Sequence, residues 1–164
     1  MNGKLPAKKS KADEKAIALG SQDYVTMTIA DQLFGIPVLQ VQDVLGHQRI
    51  TRIPLAPPEV AGSLNLRGRI VTAIDVRLRL GLQSRPKDKP EMSIVVDFRG
   101  ELYSLIVDSV GEVLSLSNDV FERNPATLDA RWREVSTGIH RLKGSLMVVL
   151  DVSRLLNFAN MEAA

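Results

Sequence analysis

Asp75 and Asp151 come nearest to chemistry in this chain: each closes a mostly apolar five-residue run and precedes a Val, so they could be imagined as a symmetric acid/base dyad. Both also stand before a helical segment, where an Asp side chain satisfies unpaired helix N–H groups, and capping explains them without catalysis. His47 and His140 have no acid or second histidine at ligand spacing. A metal site needs three or four converging ligands, so both are read as ordinary surface or cleft residues on strands. Ser63 has no sequence-local base, and Gly-x-Ser-x-Gly, phosphate-cradling Gly-rich and His-Glu-x-x-His motifs are all missing. With no cysteine there is no disulfide, thiolate zinc site or cysteine nucleophile. The expectation is a protein that is not an enzyme and holds no cofactor and no metal.

Recognition is the chemistry that remains, and Asn65-Leu66-Arg67-Gly68 carries it. Gly68 suggests a backbone position with positive φ, and Arg67 before it would project a planar five-donor guanidinium from a turn. The plain alternative is a hairpin turn with a solvated Arg. A second copy of the segment serves as a control: Leu142-Lys143-Gly144 keeps the turn but has Arg141 where Asn65 stands and Lys143 where Arg67 stands. Arg and Lys are not interchangeable at bidentate sites, so the difference favours a specific contact for Arg67.

These residues are positioned by a duplicated unit. Leu66 to Val76 reappears as Leu142 to Val152, and upstream Leu33 to Val38 matches Leu102 to Val107 while Val41 to Leu45 matches Val110 to Leu114. The change in offset places an insertion in the second copy, over Asn118 to Trp132. A long-period duplication means two supersecondary units that bury their apolar faces against each other. Halves of this size are marginal alone in a chain of 164 residues, so a joint core is expected.

Residues 1–23 carry five Lys against Asp13, Glu14 and Asp23, which leaves sixteen basic and sixteen acidic side chains in the remainder. A nucleic-acid surface needs excess Lys and Arg on the folded part and stacking aromatics, and the whole chain has only seven aromatics. No nucleic acid is expected as a partner, and the Lys-rich 1–23 segment reads as a disordered basic tail. No apolar run reaches the ~18 residues of a membrane span, so the chain is expected to be cytoplasmic.

Alternation over Tyr24 to Ala30 predicts a strand, Asp31-Gln32 a turn, and Leu33 to Val38 a second strand with Pro37 at an edge or bend. Val41 to Leu45 and a third strand over His47 to Ile53 follow, before a break at Pro54 to Pro58. Gly62 to Leu66 and Ile70 to Ile74, the latter read as the most buried strand of the first half, flank the Arg67-Gly68-Arg69 turn. Asp75 caps a helix over Val76 to Leu80, with Gly81 as its stop. Met92 to Phe98 and Leu102 to Val107 form a hairpin, Asp108 to Leu116 a strand, Leu128 to Arg133 a helical turn, Val135 to Leu142 and Leu146 to Leu150 strands, and Val152 to Phe158 a terminal helix. Each half thus has about five short strands, enough to close a small barrel.

Gly62-Ser63-Leu64-Asn65-Leu66-Arg67-Gly68 with its trailing Ile74-Asp75-Val76-Arg77 closely resembles the signature of the CheW family of bacterial chemotaxis adaptors. Phe34 to Val38, Val41 to Val44, Gly138, Gly144 and Leu150-Asp151-Val152 fit the same family. The resemblance spans 24–158 and implies a mainly β fold of two pseudo-repeated five-stranded β-barrel subdomains sharing a hydrophobic core, with short helices. The first barrel is expected over about 24–82 plus the C-terminal helix region, the second over about 91–150, and 159–164 as a C-terminal tail. It also implies a non-enzymatic adaptor that couples the cytoplasmic tip of chemoreceptors to the regulatory domain of the histidine kinase CheA, cytoplasmic and reaching membrane-associated arrays through receptors only. Receptor-facing positions carried over from the family pattern are Val41, Asp43, Gly62, Asn65, Leu66, Arg67 and Gly68. On that pattern Asp43 and Arg67 approach each other beside an apolar groove that accepts a receptor's helical hairpin tip. Thr72 stands where many members carry Pro. An adaptor for another chemosensory-type pathway, controlling surface motility or a second messenger, is the alternative within the family; a small-barrel nucleic-acid module is the alternative outside it.

Overall fold

A computed structural model describes residues 20–157. The part of the expected basic tail that precedes Gly20, Phe158 of the expected terminal helix and the expected tail over 159–164 lie outside the described residues. The tail expectation is corrected at its inner end, because Ser21–Asp23 already lie in a strand, paired with Ser115–Ser117. The strands are β1 (Ser21–Ile29), β2 (Gln32–Pro37), β3 (Val41–Leu45), β4 (Val60–Leu66), β5 (Arg69–Asp75), β6 (Met92–Phe98), β7 (Glu101–Val107), β8 (Ser109–Ser117), β9 (Phe121–Glu122), β10 (Ser136–Leu142) and β11 (Ser145–Leu150). Among the described residues three short α-helices accompany them: α1 (Val76–Arg79), α2 (Ala130–Glu134) and α3 (Val152–Leu155).

Tight turns set the hairpins. Ala30-Asp31 (φ 50 and 67), Arg67-Gly68 (φ 52 and 86) and Arg99-Gly100 (φ 56 and 83) all place two successive residues in the left-handed region, the backbone that joins right-twisted antiparallel strands in two residues. Asp75 and Asp151 cap α1 and α3: their side chains accept N–H bonds from Leu78, and from Ser153 and Arg154. Capping is therefore what the structure assigns to the matched carboxylates.

The strands form one sheet in the order β8-β1-β2-β11-β10-β9 and another in the order β3-β6-β7-β5-β4. Mainly β architecture is as expected, but the division into 24–82 and 91–150 is not. Hairpin β1–β2 joins strands of the second half and hairpin β6–β7 joins strands of the first, each through a parallel pairing, β2 with β11 and β5 with β7. Pro37 is where the first crossing begins: it has no N–H to extend the ladder, and a 3-10 turn over Val38–Gln40 carries the chain to the other sheet. The return crossing is pinned at Asp108, whose carboxylate accepts from Ala30 N (2.8 Å) and from Arg77 Nε and Nη2 (2.8 and 2.7 Å).

A shared core lies between the sheets, with Phe34, Ile36, Ile74, Ile94, Leu105, Ile139 and Leu150 fully buried in it. Each sheet also folds around a small interior of its own, one with Leu64, Val71 and Ala73, the other with Tyr24, Met147 and Val149. Three local expectations are corrected. Segment His47–Ile53 is not a strand and makes a single bridge, Thr51 to Ser63. Ile70 is 71% exposed, because β5 pairs with β7 only from Thr72 onward and its first residues overhang the sheet. His140 is fully buried: it lies opposite Met147 on β11, and its ring sits between Tyr24 and Phe121 at centroid distances of 5.4 and 5.3 Å.

Candidate functional site

The β4–β5 hairpin extends past Thr72, the first β5 residue paired with β7, and its tip is built by short polar contacts. Asn65 Oδ1 accepts the Gly68 N–H at 2.9 Å, closing the turn from inside, and Arg67 is thereby held at φ 52, where L side chains rarely sit. Arg67 Nη2 lies 3.1 Å from Asp43 Oδ2, while Asp43 Oδ1 accepts from Val44 N at 2.9 Å. Asp43 is on β3 and Arg67 follows β4, the two edge strands of one sheet, so the ion pair joins opposite edges of a sheet curled on itself. Arg67 is 76% exposed and Asp43 27%, so the pair contributes at most ~1 kcal/mol to stability. Its value is in orienting the guanidinium.

Beside the pair is a shallow cleft of about 170 Å³ floored by Leu66, Val95 and Leu102 and rimmed by Gln42 and Arg69. Small-molecule and cofactor sites usually need ~300 Å³ or more, so this one suits one or two side chains of another protein. Among the described residues, no three His, Cys, Asp or Glu side chains gather as a metal site.

The seven sequence-derived positions separate into two groups. Asp43, Asn65, Leu66, Arg67 and Gly68 come together at the tip and cleft. Val41 and Gly62 stand behind it: Val41 packs against the shared core, and Gly62 precedes Ser63, which makes the bridge to Thr51. A Cβ on Gly62 would lie 2.2 Å from Thr51 O, and Gly138 is its counterpart in the second copy, with Glu122 O at 2.4 Å. Their role is to let a backbone cross closely.

The second copy's turn differs in backbone as well as side chain. Gly144 turns left-handed (φ 81) but Lys143 does not, and Arg141, in the place of Asn65, turns instead to Glu122 at 3.0 Å. Two apolar residues at the tip were missed from sequence: Ile70, which faces Asn65 across the hairpin, and Val44 beside Asp43, 39% exposed. Both looked like ordinary strand residues, and only the overhang of β5 and the edge position of β3 expose them.

A family model described as CheW-like domain matches residues 23–160. The chain is 31% identical over 140 residues to "Chemotaxis protein CheW" of Klebsiella aerogenes, covering 85% of this chain and 84% of that one. It is 28% identical over 125 residues to "Protein PilI" of Pseudomonas aeruginosa, covering 76% and 70%. Among solved structures it superposes on the scaffolding protein TtCheW of Thermoanaerobacter tengcongensis with a TM-score of 0.74, 30% identity, and coverage of 82% and 92%.

Proposed function

The chain belongs to the CheW-like domain family, and on that premise we propose that it is a non-enzymatic adaptor of chemotaxis signal transduction. In this reading it joins the cytoplasmic tip of chemoreceptors to the regulatory domain of the kinase CheA, and it meets the membrane only through the receptors. Among the described residues no helix is long and apolar enough to cross a membrane. The observation that carries the reading is the β4–β5 tip: a guanidinium aimed by Asp43 and Asn65 beside exposed Ile70 and a cleft sized for side chains. An apolar, partly acidic helical hairpin of a receptor would cover Ile70 and offer carboxylates to Arg67.

Arg67→Glu tests this directly. The pair it breaks is exposed, so the melting temperature should move by no more than the few degrees that ~1 kcal/mol allows in a chain of this size. Co-sedimentation with receptor cytoplasmic fragments should fall about tenfold, along with receptor-dependent activation of a CheA-type kinase. Unchanged sedimentation, or a large loss of folding, would overturn the assignment. Which receptors co-sediment also decides the pathway served.

A further inference from the structure

A second arginine-bearing tip stands beside the first. Strands β5 and β7 are parallel neighbours in register from Thr72 with Tyr103, so the turns that precede them lie at the same end of the sheet. The β6–β7 turn repeats the local device of the β4–β5 turn: Asp97 Oδ1 accepts the Gly100 N–H at 3.0 Å, and Arg99 is held left-handed at φ 56. A side chain kept in that conformation, which glycine adopts freely, points to a use for the side chain. Here the guanidinium lies over the Phe98 ring, 5.0 Å from its centroid, on the side of a cleft that residues of the helices also line.

On that side Arg99 lines a cleft of about 330 Å³ with Arg79, Arg154, Phe98, Glu134 and Asn157. Arg79 is placed by α3, donating from Nε to Leu155 O (2.9 Å) and from Nη2 to Arg154 O (3.0 Å). Arg154 is placed by Nη1 to Ser136 O (2.9 Å). Among the described residues, three guanidinium groups line this cleft with Glu134, and Arg154 Nε also lies 3.6 Å from Asp151 Oδ2, in a chain whose net charge is only +2. Focused positive charge over a half-buried aromatic ring is a match for carboxylates next to an apolar residue.

We propose that this cleft binds an acidic segment of a protein partner, with Arg99 as its preset arm. That the ligand is a protein segment rests on the adaptor reading; the cleft itself is separate from the Arg67 tip. The test uses the full chain labelled with 15N and a synthetic peptide, acetyl-Glu-Glu-Leu-Glu-Glu-Leu-amide, followed through the arginine Nε–H signals. Saturable shifts at Arg79, Arg99 and Arg154 are expected, with none at Arg67. Arg99→Glu should weaken binding at least tenfold, and Arg99→Lys, which keeps the charge and loses the planar fork, by a smaller factor. Arg99→Gly relieves the strained φ, so it should fold at least as well as the parent and still lose affinity. Uniform small shifts at every arginine, or unchanged affinity in Arg99→Glu, would overturn the proposal. So would equal or tighter binding of inorganic tripolyphosphate at the same three signals. Shifts of those signals in free Glu162→Lys would assign the cleft to the chain's own C-terminal segment instead. None of these readouts involves receptor or kinase, so failure here and failure of the adaptor reading are distinguishable.

Discussion

Replacing His140 with Leu should stabilise the chain, and more so in acid. The imidazole is fully buried, and neither ring nitrogen has a hydrogen-bond partner among the described residues. Leaving a neutral donor and a neutral acceptor unpaired in a protein interior costs about 1–3 kcal/mol for each group. Leu recovers that cost and forfeits the edge contacts with Tyr24 and Phe121, each worth about 0.5–1.5 kcal/mol. With each contribution at the low end of its range, the net gain is about 1 kcal/mol at pH 7.5, a rise of about 2–4 °C in melting temperature. Burial also lowers the His140 pKa from its ordinary 6.5, with the Glu122 charge opposing. Below pH 6.5 the unfolded chain takes up a proton that the folded chain refuses, so wild-type stability falls by up to about 1.4 kcal/mol per pH unit; above it the effect vanishes. The advantage of Leu should therefore grow as the pH falls below 6.5. Asp108, held low by Arg77, and Asp75, raised by burial, titrate in both proteins and cancel in the difference. Urea melts of both proteins at pH 7.5 and 5.5 measure it. A variant less stable at pH 7.5, or an advantage that stays constant with pH, would show that His140 has a partner or carries charge in the fold.

Other perturbations separate architecture from recognition. Gly62→Ala and Gly138→Ala drive a methyl into backbone oxygens at 2.2 and 2.4 Å and should each cost about 3 kcal/mol or more in thermal melts. Gly68→Ala meets open space and only strains φ 86, a cost of about 1 kcal/mol. Asn65→Ala removes the bond that closes the tip and should lose about 1 kcal/mol of stability, with a disproportionate drop in receptor co-sedimentation because Arg67 is no longer aimed. Asp108→Asn breaks the bidentate pair with Arg77 and should destabilise by about 3 kcal/mol at pH 7. Because the folded Asp108 pKa is lowered, its contribution is complete above the ordinary carboxylate range and lost as pH falls through the folded value, so the two proteins should converge in stability in strong acid.

Most of the strands were legible because their cause is local. Alternation fixed β1 and the β6–β7 hairpin, Gly after a polar residue marked the turns, and Asp before Val marked both caps. Pairing was not legible. A duplicated sequence suggests that each half closes on itself, and nothing within β1–β2 says that it prefers β11, far along the chain, to β5. That choice follows from Pro37, the turn after it and the pinning of Asp108, which act only once the chain is three-dimensional. Ile70 and His140 were misjudged for the same reason: exposure at an overhang and burial against a neighbouring strand depend on partners that periodicity does not name.

The candidate site was legible as a motif but not as a geometry, and the turns of the two copies show why. The matched glycines and aspartates are forced in both by backbone crossings and helix ends, so their agreement carries no information about partners. At the turn itself nothing forces a side chain into the left-handed region, since Lys143 makes the corresponding turn without it. Arg67 adopts it where Asn65 bonds Gly68 across the turn, and Arg99 where Asp97 does the same for Gly100. An Asn or Asp two residues before an arginine that precedes a turn glycine is thus a readable sign of an aimed guanidinium. By that sign the β6–β7 tip ranks with the β4–β5 tip, although the family resemblance drew attention to only one. If Asn65→Ala and Asp97→Ala each leave the fold intact and raise the backbone mobility of the following Arg in 15N relaxation, the sign is physical; if Arg67 and Arg99 stay rigid without their supports, it is a coincidence of turn composition.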